Sequence, residues 1–92
     1  MDTERHEKLL YKELSYQLQG AAMEVRKNFG PAHKESIYQN AFAEELKSRS
    51  IQFEREKAIK IYSPKTKKFI GLYRPDFVIE GKILVEIKSV VR

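Results

Sequence analysis

The sequence predicts an α+β domain: two N-terminal helices packed on a three-stranded antiparallel meander. Three observations carry this expectation. Apolar residues recur at three- and four-residue steps through the first half of the chain, as on one face of a helix. From Ile51 onward the period shortens to two, that of a strand. Turn residues fall at Gly30-Pro31, Ser63-Pro64 and Glu80-Gly81, which divides the chain into helix, helix, strand, strand, strand.

The first helix carries Leu10, Leu14, Leu18, Ala21, Ala22, Val25 and Phe29 on one face, a stripe that reads as core. Gly30 suits its C-terminal cap and Pro31 cannot continue its hydrogen-bond ladder. A second helix is expected from near His33 to about Arg49, with Ile37, Tyr38, Ala41, Phe42 and Leu46 as its apolar positions. Ile51, Phe53, Ile59 and Ile61 then alternate with polar residues in one long strand with a charged middle. Ser63 to Lys67 is a turn, Phe69 to Ile79 a second strand, and Lys82 to Val90 a third. Pro75 removes one ladder donor, so the second strand lies at an edge or bends there.

At 92 residues, 41% hydrophobic and 34% charged, the chain is the size of one small domain. It has no Cys, which excludes disulfides and thiolate metal sites and fits a cytoplasmic protein. Neither a secretory signal nor an apolar run of roughly 20 residues is present, so no membrane association is expected. The net charge of +5 favours polyanionic partners, nucleic acid among them, although many basic proteins share it. His6 and His33 lack metal-ligand spacing and are expected at the surface.

The third strand holds the chemistry. Ile83 to Val91 is apolar enough to be buried, yet Glu86 and Lys88 sit in its middle. Buried charge is costly unless it is paired or bound to metal. Residues two apart on a strand share a face, so the two charges project side by side, and Asp76 on the preceding strand can face them. Hairpin register decides whether they meet. A two-residue turn at Glu80-Gly81 pairs Ile79 with Lys82 and sets Asp76 opposite Val85. One more loop residue pairs Ile79 with Ile83 and sets Asp76 opposite Glu86, with Gly81 supplying the left-handed conformation. A metal site requires the second register. The competing reading is a solvated sheet face on which acids and lysines merely alternate.

Pro75-Asp76, a short hairpin and then Glu86-Ile87-Lys88 resemble the PD-(D/E)xK nuclease superfamily. The segment Gly30-Pro31-Ala32-His33-Lys34-Glu35-Ser36-Ile37-Tyr38 resembles the signature of the GxxExxY proteins, a small prokaryotic branch of it. Glu54-Arg55-Glu56 and Ile70-Gly71-Leu72-Tyr73-Arg74 resemble that branch as well. Ala32 stands at the first glycine of the pattern, while Glu35 and Tyr38 are in place.

The resemblance implies a restriction-endonuclease-like core and a metal-dependent nuclease that hydrolyses phosphodiester bonds in DNA. Asp76 and Glu86 would hold Mg²⁺ or Mn²⁺, with the Ile87 carbonyl as a further ligand and Glu35 as an additional one, directly or through water. Lys88 would orient the attacking water or offset phosphate charge, and Tyr38 would pack or lend a supporting hydrogen bond. Read without the resemblance, Glu35 simply favours the positive end of a helix dipole. Lys65, Lys67 and Lys68 either grip a phosphate backbone or form a solvated hairpin tip. Arg74 either contacts substrate or pairs with a carboxylate. Relatives continue past Glu-x-Lys into a further helix and strand. The expectation is therefore a single domain over residues 1–92 with a C-terminally short core, and a homo-oligomer that covers the apolar third strand. The alternative function is a non-catalytic module of the same fold that binds nucleic acid or a protein partner.

Overall fold

Gly30 ends the first helix as its place in the sequence predicts. It adopts φ +66° and donates its N–H to the Arg26 carbonyl at 2.8 Å. The structure, a computed structural model, describes residues 3–88, with side chains from Tyr11 onward. Helix α1 runs Thr3–Phe29 and α2 Glu35–Ser48, followed by strands β1 (Phe53–Arg55), β2 (Ile59–Tyr62), β3 (Phe69–Tyr73), β4 (Phe77–Ile79) and β5 (Ile83–Val85). All strand pairs are antiparallel, in one sheet of order β1-β4-β5 and a second of β2-β3. The α+β class therefore holds. No helix among the described residues is long and apolar enough to cross a membrane.

Where one long strand is expected from Ile51 to Ile61, the structure has two, and the strand from Phe69 to Ile79 is likewise two. The interruption falls at the same level in both. Arg55 pairs with Phe77 and Ile59 with Tyr73, so counting through the gap gains or loses no residue on either side. The Glu56 N–H still reaches the Asp76 carbonyl at 3.2 Å across it. Two local causes break the ladder: Pro75 has no N–H to give, and Glu56 takes φ +52°, outside the strand region. Pro75 itself is fully buried. The meander therefore survives as one hairpin with a hinge in its middle, and β5 added to its base.

The third strand is shorter and less buried than its composition predicts. β5 covers only Ile83–Val85, and Leu84 at its centre is 48% exposed. The expected continuation through Ser89 and Val90 lies outside the described residues.

The base of the hairpin packs on the helices. Leu18, Ala21 and Val25 of α1, Ala41, Phe42, Ala43 and Leu46 of α2, and Ile51, Phe77 and Ile79 form one buried cluster. Phe77 is its centre, with the rings of Phe42 and Phe53 at 5.2 and 5.6 Å in edge-to-face geometry. Arg49 fastens the helices together, from Nε to Glu45 at 3.0 Å and from Nη1 to Gln17 Oε1 at 2.9 Å. Gly20 makes room for it, because a Cβ there would lie 2.9 Å from Nη1. A glycine inside a helix costs about 1 kcal/mol relative to alanine, and here it lets the Arg49 guanidinium lie close against α1.

Candidate active site

The hairpin after Asp76 adopts the register that a metal site requires. Ile79 pairs with Ile83, Val78 with Leu84 and Phe77 with Val85, and one further step sets Asp76 opposite Glu86. The loop has three residues. Glu80 and Gly81 both take positive φ, +50° and +67°, and the Lys82 N–H closes back on the Ile79 carbonyl at 2.9 Å. Gly81 does so without strain, while Glu80 adopts a conformation that disfavours a Cβ.

Asp76 is fixed by a bond no sequence pattern announces. Its Oδ2 accepts the Ile87 N–H at 2.6 Å, so the carboxylate takes the place of the next rung of the β4–β5 ladder. Glu86 is held from the other side, by the Tyr73 hydroxyl donating to its Oε1. Tyr73 also feels Asp76. Its hydroxyl is pushed above the ordinary tyrosine value, first by the hydrogen bond to Glu86, then by desolvation and by the negative charges of Glu86 and Asp76. Tyr73 and Glu86 are thus in direct contact, and Asp76 stands opposite Glu86 in the hairpin register. Among the described residues each carboxylate has one oxygen engaged in a hydrogen bond and the other without one.

Glu86, Ile87 and Lys88 run on from β5 along one wall of a cleft of about 540 Å³. Its lining also includes Val25, Gly30, Tyr38 and Phe42. Ile87 packs against the core between its two exposed neighbours. Lys88 makes no ion pair among the described residues. Tyr38 does what a supporting hydrogen bond requires: its hydroxyl donates to the Gly30 carbonyl at 2.6 Å and accepts the His33 N–H at 3.2 Å. His33 is half-buried, contrary to the surface position expected for it. Its ring stacks edge-on to Phe29 and Tyr38 and lies 2.7 Å from the Phe29 carbonyl.

The remaining residues are placed less centrally. Glu35 is the first residue of α2 and exposed; it does not complete a carboxylate triad, since no three His, Cys, Asp or Glu side chains converge among the described residues. Arg74 is exposed, and it pairs with no carboxylate among the described residues. Lys65, Lys67 and Lys68 are exposed at the β2–β3 turn. Tyr73, in contact with Glu86, is the residue at this place that sequence reasoning misses. In an unbroken strand it would face away from Asp76, three positions on, and only the break at Arg74–Asp76 brings both to one place.

Two carboxylates with unengaged oxygens are hard donors that suit Mg²⁺ or Mn²⁺, and a lysine stands two residues beyond one of them. Asp76 and Glu86 thus face each other in register on a β-hairpin backed by two helices, with Lys88 two residues along the chain. A sequence profile of the PD-(D/E)XK nuclease superfamily matches residues 12–92, and the chain belongs to that superfamily. Comparison with curated proteins and with solved structures gives no match.

Proposed function

We propose that the protein is a cytoplasmic metal-dependent nuclease that hydrolyses phosphodiester bonds in DNA, and that it falls in the GxxExxY branch of its superfamily. The observation that supports this reading is the bond from Ile87 N–H to Asp76, in a hairpin whose register sets Asp76 opposite Glu86. Asp76 and Glu86 would hold Mg²⁺ or Mn²⁺, with the Ile87 carbonyl beside them, and Glu35 would act through water. Such a cation supplies charge neutralisation at the phosphate and lowers the pKa of a coordinated water. Lys88 offsets developing phosphate charge and orients the water. Tyr73 restrains Glu86. Arg74 and the lysines of the β2–β3 turn hold the phosphate backbone. Self-association would use the outer edge of β5.

The test is cleavage of labelled DNA and RNA, single- and double-stranded, in Mg²⁺ or Mn²⁺ and in EDTA. The expected result is metal-dependent cleavage that Asp76→Ala, Glu86→Ala and Lys88→Ala each abolish. Cleavage that persists in EDTA or in Asp76→Ala would sink the assignment. A wild-type protein that binds nucleic acid and cleaves none of it would favour the non-catalytic module, a reading supported by the absence of a third converging carboxylate among the described residues.

A further inference from the structure

Strands β2 and β3 form an arm that leaves the body of the protein at the hinge, and its surface is unlike the rest. From Ala58 to Pro75 the chain carries five cations, Lys60, Lys65, Lys67, Lys68 and Arg74, and no Asp or Glu. None of the five enters an ion pair among the described residues. Between these charges the arm exposes large apolar side chains: Tyr62 is 52% exposed, Phe69 56%, Ile70 66% and Leu72 55%. A two-stranded ribbon gains little stability alone, so such exposure is not explained by folding.

The arm is also ordered where it would be used. Its tip is closed by Ser63 N–H to the Lys68 carbonyl at 2.8 Å and Lys67 N–H to the Ser63 carbonyl at 2.9 Å. The Ser63 hydroxyl oxygen accepts the Lys65 and Thr66 N–H groups at 3.3 and 3.2 Å. This holds the backbone that carries the three lysines. Tyr62 and Phe69 pair across the strands edge-to-face, with centroids 5.9 Å apart. At the root, Tyr73 touches Glu86 directly.

We propose that the arm is a binding ribbon for single-stranded nucleic acid, with Lys65, Lys67 and Lys68 on the sugar–phosphate backbone and the rings of Tyr62 and Phe69 stacked on unpaired bases. Basic groups interleaved with exposed aromatic rings are what a single strand requires, because each base offers a face for stacking once it is unpaired. Duplex binding through the phosphates would use the lysines and leave the rings without a partner. A second copy of the arm fits worse, since it would bring cations against cations with no acid to offset them. The inference rests on the proposed nuclease function only in that the bound strand would lead along Tyr73 to Asp76 and Glu86.

Binding is measured in EDTA by fluorescence anisotropy, with a labelled oligothymidine of about 12 nucleotides and a duplex of equal length. Wild type should bind the single strand more tightly than the duplex. Tyr62→Ala combined with Phe69→Ala should weaken single-strand binding about tenfold or more and leave duplex binding unchanged. Lys65→Gln, Lys67→Gln and Lys68→Gln together should reduce the slope of log K against log salt by about two. Circular dichroism confirms that both variants fold. Equal or tighter duplex binding, or a ring variant that binds the single strand unchanged, would overturn the proposal. So would a wild-type dimer that binds no oligonucleotide and dissociates in the ring variant, an outcome that gives the face to a second copy. Because EDTA prevents metal-dependent cleavage, a failed nuclease assignment appears separately, as intact binding without cleavage in Mg²⁺.

Discussion

The base and the arm of the long hairpin share a register and differ in nearly everything else. In the base, all three residues of β4 are buried, and Phe77 and Ile79 pack against Phe42, Leu46 and their neighbours on the helices. In the arm, four of the five residues of β3 are exposed. Alternating apolar residues produced a core in one half and an open surface in the other because the helices cover only the base. The boundary between the two falls at Arg74-Pro75-Asp76, and the acid pair sits there. The Asp76 carboxylate at that boundary is bonded to the Ile87 N–H and is partly exposed to solvent. Such a position suits a group that must be held in place and still be reached.

The largest expected effect breaks the base. Phe77→Ala removes a ring that is fully buried between Phe42 and Phe53. It should cost about 3–5 kcal/mol, read from urea unfolding followed by circular dichroism. A loss under about 1 kcal/mol would mean that Phe77 does not centre the core.

The boundary is tested next. If Asp76 and Glu86 hold a divalent cation, metal at about a hundredfold over its Kd stabilises the folded protein by about 2.7 kcal/mol. The melting temperature should rise with Mg²⁺ or Mn²⁺ in wild type and stay flat in Asp76→Ala. A wild-type melting curve that ignores millimolar metal would count against the site.

A smaller effect concerns Tyr38 in the lining of the cleft. Tyr38→Phe keeps the ring and removes the hydroxyl that bridges Gly30 and His33. The expected loss is about 1 kcal/mol, the net worth of a typical hydrogen bond. An unchanged unfolding midpoint would show that the Gly30–His33 loop holds its shape without it.

Much of this arrangement was legible in the sequence, and the parts that were not share a cause. Gly30 ends α1 because only its backbone accepts φ +66° at low cost, a rule local enough to read directly. The Ile79–Ile83 register was one of two readable options, and the choice depended on Glu80 joining Gly81 at positive φ. Strand parity, by contrast, fails wherever a strand breaks. Pro75 announced a bend, but Glu56 at φ +52° gave no sign, and without both the hairpin reads as unbroken. Strand parity therefore points Tyr73 away from Asp76, although it bonds Glu86. Glu35 was legible as a family position, yet its approach depends on how α2 packs, which no local pattern encodes.

The sharpest form of the comparison uses the same substitution on the other half of the same hairpin. Phe69→Ala removes a ring that is 56% exposed and whose aromatic partner is Tyr62, across the arm. Little apolar area returns to water, and no cavity forms. The loss should be limited to the cross-strand pair, under about 1 kcal/mol, against the several expected for Phe77. Urea unfolding of both variants at two protein concentrations separates the remaining cases. If Phe69→Ala costs as much as Phe77→Ala, the arm is covered in solution. If that cost also grows with protein concentration, the cover is a second copy. A small loss that does not change with concentration leaves the arm's rings without a structural task, the condition under which a ligand becomes the reason for their exposure.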